Sequence, residues 1–259
     1  MNKNIIQENI ISVEIKDRNL RFDISSEIPK ILNETMITKI DRLGKYLIFF
    51  NSKDYALILH LGMTGFFRIE NSYNHRKHDH IIFSFKDKKL IFNDVRKFGF
   101  MKIYLQEKVF LSRHLKKLGP DPLSKEFSYS YFRKNLKRKT NIKNLLMNQY
   151  FVSGLGNIYC SEILFDSKIS PVREIGSLKD QELQRIIFST KKILRHAIKL
   201  GGTTIKNFIV SNEKIGYFKN KLMVYGRAGL FCQRCDSKIL IKRILQSGRS
   251  TFFCQKCQL

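Results

Sequence analysis

The sequence predicts an α+β, multi-domain protein, and three observations predict it. The N-terminal part alternates apolar and polar residues at strand period. The period becomes helical after Gly119-Pro120-Asp121-Pro122. Four of the five cysteines crowd into the C-terminal end. A chain of 259 residues with 43% hydrophobic content is long enough for more than one core.

Each element follows from local pattern. Residues 10–16 alternate, 45–50 and 56–61 are dense in large apolar side chains, and 80–92 hold two alternating runs that turn near Asp87-Lys88. Residues 100–105 add one more strand. Together these predict a β-sandwich over residues 1–108. The Gly-Pro-Asp-Pro stretch interrupts any helix. Helical spacing then covers 127–135, 142–149, 158–166 and 178–200, the last stopped by Gly201-Gly202, with a further short helix at 203–210. A helical domain is expected over 109–225 and a small metal-held module over 226–259.

Charge narrows the function. Forty-eight Lys and Arg against 22 Asp and Glu give +26 and a pI near 10.0. Such a field attracts polyanions, and nucleic acid is the expected partner. No apolar run approaches the roughly 18 residues of a membrane helix, and no basic amphipathic anchor is visible, so no membrane partner is expected. The first residues mix Asn, Lys, Gln and Glu with isoleucine, unlike a secretory signal, and the expected location is the cytoplasm.

The cysteine spacing Cys232-x2-Cys235-x18-Cys254-x2-Cys257 is that of a four-thiolate metal site. Each short spacer turns two sulfurs toward one ion, and two such turns close a tetrahedron suited to one structural Zn2+. Residues 239–244 and 250–253 would be the strands of a hairpin between the knuckles. Its tip, 246–249, carries Arg249, which can grip a phosphate bidentately. Cys160 stands apart and reads as a small buried apolar residue. The turn Gly154-Leu155-Gly156-Asn157 precedes a helix. Asn157 is expected to cap it, and free amides at a helix start favour a phosphate.

Seven motifs occur in one order: His60-Leu-Gly-Met-Thr-Gly65, Lys77-His-Asp-His80, Asp94-Val-Arg-Lys-Phe-Gly99, Gly154-Leu-Gly-Asn-Ile-Tyr159, Gly201-Gly-Thr-Thr204, Val224-Tyr-Gly-Arg227 and the four cysteines. This set resembles the formamidopyrimidine-DNA glycosylase / endonuclease VIII family, more closely its formamidopyrimidine branch, from about Ile10 to the end. The resemblance implies an N-terminal β-sandwich, a helix–two-turn–helix domain and a C-terminal zinc finger, with DNA in the cleft between. It implies a monomer acting in base-excision repair on double-stranded DNA with damaged bases or abasic sites. The activity implied is removal of oxidised purines (formamidopyrimidine, 8-oxoguanine) with abasic-site β,δ-lyase action.

Residue roles come with the resemblance. Lys45 matches the lysine of phosphate contact and β-elimination. Asn157 matches the helix–two-turn–helix phosphate ligand, and Arg249 the finger arginine linked to δ-elimination. His78, Arg96, Arg138 and Lys143 match DNA-contacting positions. Met63, Arg96 and Phe98 match the side chains that fill the gap left by an extruded base, whose flipping costs a few kcal/mol of stacking. Two departures bear on lesion preference: residues 211–217, the base-covering loop, lack the usual Gly- and Pro-containing form, and Val95 replaces a proline.

The family's nucleophile is an N-terminal proline amine that attacks C1′, followed by a glutamate acid. Here the sequence begins Met1-Asn2-Lys3-Asn4. The leading expectation is an N-terminally truncated form of an active enzyme. A non-catalytic binder of lesions or abasic sites is the second reading, and an amine of Met1 or a nearby lysine in the proline's role is the third. An RNA-binding zinc-ribbon protein would fit the charge and the cysteines but leave Met63, Arg96 and Phe98 unexplained.

Overall fold

A computed structural model of the protein describes residues 5–203, 218–235 and 238–259. They form two compact units, divided between Lys117 and Leu118. The expected helix at 203–210, apart from Thr203, and the loop at 211–217 lie outside the described residues.

The first unit is a sandwich of two antiparallel sheets. One sheet has the order β1 (Asn9–Ile10), β3 (Thr35–Leu43), β4 (Tyr46–Asn51), β5 (Tyr55–His60), β9 (Phe100–Leu105). The other runs β2 (Ser12–Ile15), β7 (Asp79–Ser84), β8 (Lys89–Asn93), β6 (Phe66–Glu70). Inward residues of both sheets share one core: Ile37, Phe49, Leu57 and Met101 meet Val13, Phe67, Ile81 and Phe92. The Phe49 and Phe67 rings, 6.1 Å apart, join the sheets directly. A short helix, α1 (Glu27–Leu32), buries Ile28 and Leu32 against this core.

Three of these elements are not evident from pattern alone. In β3 the register shifts between Ile37 and Lys39, so the buried Ile37 and Ile40 stand three apart and break the strand's period of two. In β6 a charged residue is buried on the face opposite the shared core: Arg68, between the core residues Phe67 and Ile69, is 2% exposed. It grips Asp79 with both terminal nitrogens, one at 2.7 Å. Helix α1 is only six residues long.

The second unit holds α2 (Tyr129–Arg133), α3 (Ile142–Met147), α4 (Asn157–Asp166), α5 (Asp180–Lys199) and the hairpin β10 (Lys242–Gln246)–β11 (Arg249–Phe253). Asn141 caps α3 by accepting from the Asn144 amide at 2.9 Å. Leu145, Leu155, Ile163, Leu183 and Ile186 form the helical core, with Cys160 fully buried among them. A smaller cluster of Phe165, Val224, Ile241, Cys232 and Cys254 ties the hairpin to α4. The Glu162 carboxylate accepts the amides of Met223, Val224 and Tyr225, which anchors the chain entering the finger. No described helix is long and apolar enough to cross a membrane.

Candidate nucleic-acid interface

Two loops of the sandwich carry the residues expected to enter DNA. Met63, in the loop after β5, is 61% exposed, and Phe98, in the loop before β9, is 43% exposed. Arg96 rests its guanidinium 4.7 Å above the Phe98 ring. The loops touch at the backbone. A Cβ on Gly62 would lie 2.6 Å from the Gly99 nitrogen, and the φ of Gly62 is +66°, so glycine is required there twice over. The structure therefore brings Met63, Arg96 and Phe98 together.

Lys45 stands exposed in the turn between β3 and β4. Its charge acts on His60, whose ring stacks on Phe100 at 5.6 Å. Burial, then Lys45, Arg21 and His114, push the His60 imidazole down to about 4. The Gly62 amide donates to His60 Nδ1 at 3.0 Å, so the proton of the neutral ring sits on Nε2. Beside this group Arg21, Lys102 and Arg113 hold their cations 5.8, 5.5 and 5.6 Å, respectively, from the Phe22 ring. This face is strongly cationic and partly aromatic, a surface for phosphates.

His78 is half-buried with φ +72°, at the end of a loop pinned by Asp79. Burial alone would raise the Asp79 carboxyl, but Arg68, Asn93 and the Arg76 amide hold it below the usual range.

In the second unit Asn157, Lys143 and Arg249 converge on one strand. Asn157 donates from Nδ2 to the Ser250 carbonyl at 2.8 Å. Lys143 donates from Nζ to the Thr251 hydroxyl. Arg249 opens that strand, exposed, and its charge adds to burial in pushing the Lys143 ammonium down. Ser247 and Gly248, with φ of 47° and 72°, make the two-residue turn that presents Arg249 opposite Gln246. Two expectations need revision here. Gly156 is the helix cap and Asn157 is the first helical residue, because the Asn157 side chain reaches across to the finger instead of back to its own helix. Lys143 is 1% exposed, so its ammonium is engaged with the finger strand and is not presented to solvent. Arg138 lies apart from these, exposed in the basic turn after α2.

The four cysteine sulfurs lie within 4.8 Å of one another. Cys232 and Cys257 are 3.8 Å apart, and Cys235 and Cys254 3.7 Å. A tetrahedron with metal–sulfur bonds of about 2.3 Å has edges of about 3.8 Å, so the cluster fits one four-coordinate metal ion.

Known proteins decide the family. The model of the formamidopyrimidine-DNA glycosylase N-terminal domain matches residues 1–101, and that of the formamidopyrimidine-DNA glycosylase H2TH domain matches residues 118–209. The chain is 41% identical over 247 residues to the formamidopyrimidine-DNA glycosylase of Rickettsia felis, covering 92% of this chain and 89% of the relative. The Rickettsia canadensis protein of that name is 40% identical over 250 residues, covering 92% and 90%. The chain belongs to the formamidopyrimidine-DNA glycosylase family. Solved structures agree. A mutant of the Lactococcus lactis Fpg in complex with Fapy-dG-containing DNA superposes with TM-score 0.92 at 37% identity, covering 99% of this chain and 94% of that one. The Lactococcus lactis Fpg bound non-covalently to DNA containing an abasic site gives 0.89 at 37% identity, with the same coverage.

A formamidopyrimidine-DNA glycosylase is a base-excision-repair enzyme, a DNA glycosylase with abasic-site lyase activity, and the two matched domains place this chain in that enzyme class. The geometry gives parts to motif residues that the sequence had left without a role. His60 carries a ring proton aimed by the Gly62 amide. Thr64 and Asp94 bond to each other beneath the two loops. For His60 the signal available in sequence was its place at the head of the 60–65 motif, which does not say what the ring does.

Proposed function

We propose that the protein excises oxidised purines, formamidopyrimidines and 8-oxoguanine, from duplex DNA and cleaves the resulting abasic site. One observation carries the reading. A protein with a net charge of +26 exposes Met63 and Phe98 side by side on two interlocked loops, with a guanidinium stacked on the second. Apolar tips within so cationic a surface suit an apolar slot inside a polyanion, which is what an extruded base leaves behind. Met63 and Phe98 fill that slot, and Arg96 bonds the orphaned partner base.

The remaining residues grip and polarise. Lys45, His60 through Nε2–H, and His78 bind backbone phosphates from the sandwich, and Asn157, Arg249 and Arg138 do so from the second unit. Lys143 orients Arg249 through Thr251. Lys45 and Arg249 act as cations on the phosphates that leave in the β and δ eliminations, where negative charge develops. The metal of the four-cysteine cluster is zinc. Its four thiolates leave no open coordination position, so its part is to hold the hairpin that carries Arg249.

The test is borohydride trapping on a duplex with one abasic site, run on the 259-residue chain and on a form extended upstream with a Pro-Glu start. A covalent adduct from at least one form is expected, and peptide mapping identifies the attacking amine. Intact binding without an adduct from either would overturn the lyase reading and leave a non-catalytic damaged-DNA binder. Tighter binding of structured RNA than of the abasic duplex would overturn both.

A further inference from the structure

The loops that carry Met63, Arg96 and Phe98 are joined by a buried carboxylate. Asp94 is fully buried. Its Oδ1 accepts from the Thr64 hydroxyl and, at 3.3 Å, from the Arg96 amide, and its Oδ2 accepts from the Gly99 amide at 2.7 Å. The Thr64 hydroxyl oxygen in turn accepts the Arg96 amide at 3.1 Å. One side chain thus holds both ends of the 94–99 loop and reaches the loop of Met63.

The same segment is pinned from outside. The buried His80 ring faces the Asp94 carbonyl at 3.0 Å and the Asp17 carbonyl at 3.1 Å. Lys97 has φ +57°, a costly conformation for a side chain of its size, and its ammonium is paired to Asp17 at 2.8 Å. A Cβ on Gly99 would lie 3.1 Å from the Asp94 carboxylate and 2.9 Å from the Phe92 ring, so the carboxylate is packed as well as bonded. A loop made to bend would not need this many restraints.

We infer that Asp94 and Thr64 are positioning residues that lock the two loops into one preset body, so that Met63, Arg96 and Phe98 enter the duplex together. The inference rests on the reading of those three side chains as gap fillers. Thr64 carries the lock across from one loop to the other, and the hydroxyl is what it contributes. Presetting matters because every side chain that must be ordered on binding subtracts from affinity.

Thr64→Val keeps the shape and removes the hydroxyl, and Thr64→Ser restores it. Each is measured against an undamaged duplex and a duplex with a stable abasic-site analogue opposite 2-aminopurine. For Thr64→Val the expected result is undamaged-duplex affinity within about twofold, a lowered unfolding midpoint with the fold intact at the assay temperature, and a preference for the abasic duplex reduced about tenfold. The 2-aminopurine emission change that reports insertion should shrink with it, and Thr64→Ser should recover both. Asp94→Asn, if it folds, should lose more, because whichever way its amide turns its NH2 would face a backbone N–H, that of Gly99 or that of Arg96. A Thr64→Val protein that keeps its preference and its emission change overturns the lock. The double variant Met63→Ala/Phe98→Ala separates the two ideas. If it loses the preference while Thr64→Val does not, only the lock fails. If it keeps the preference, the gap-filling reading fails and the lock with it.

Discussion

Asn157, the first residue of α4, donates its side-chain amide to the backbone carbonyl of Ser250, the residue that follows Arg249. One side chain therefore joins the helix start to the finger hairpin, next to Arg249.

From this we expect Asn157→Ala and Arg249→Ala each to weaken binding to damaged and undamaged duplexes by the same factor, about tenfold, because phosphate contacts carry no base information. The two should differ in salt dependence. Arg249→Ala removes a cation and should flatten the plot of log affinity against log salt by about 0.9. Asn157→Ala removes no charge and should leave that slope unchanged. A loss confined to the damaged duplex would contradict both assignments.

His60 should be neutral wherever the enzyme works. Burial and the charges of Lys45, Arg21 and His114 hold it at about 4, against an ordinary value of 6.5. NMR titration should find the midpoint there, with the proton on Nε2. Removing one repelling charge by Lys45→Gln should raise it, and an unchanged midpoint would show that the Lys45 charge does not act on the ring. The linkage sign follows. The folded state resists a proton that the unfolded state takes, so this contribution to stability is complete above 6.5 and is lost as pH falls toward about 4.

Arg68 and Asp79 form a buried pair, 2% and 4% exposed. Replacing a whole pair by apolar residues is often tolerated, but removing one partner strands the other. Arg68→Met should destabilise the sandwich by about 3–5 kcal/mol, read from denaturant midpoints. Asp79 is held below its ordinary range, so its contribution is present above the unfolded carboxylate pKa and disappears as pH falls through the lower folded value. The wild-type protein should lose more stability in that acid window than an Arg68→Met/Asp79→Leu double variant. Equal acid sensitivity would show that the pair does not titrate as described.

Much of the architecture was legible because it rests on local chemistry. The Cys232–Cys257 spacing and the Gly201-Gly202 stop each record one local turn, and the apolar runs of 80–92 mark β7 and β8, although both strands are buried on two faces and do not alternate in burial. What was not legible depends on partners distant in sequence. The buried Arg68 reads as a surface charge until Asp79 arrives from another strand. Nothing near Lys143 in sequence shows that it is buried and bonded to Thr251 of the finger. The register shift in β3 imitates helical spacing with Ile37 and Ile40. Asp94 gives no local sign that it bonds Thr64, thirty positions away.

Metal removal should separate grip from recognition. The finger's own core is small, a handful of side chains around Cys232 and Cys254, so the hairpin is expected to depend on a metal ion held by its four clustered cysteines. Chelation verified by metal analysis should free Arg249 from its fixed turn and weaken binding to every duplex about tenfold or more. The ratio of affinities for abasic and undamaged DNA should persist, because Met63, Arg96 and Phe98 belong to the other compact unit. Restoring Zn2+ should restore affinity. Unchanged affinity after complete metal loss would sink the structural role of the site. A collapse of the ratio alone would mean that the finger takes part in recognising damage and does more than grip the backbone.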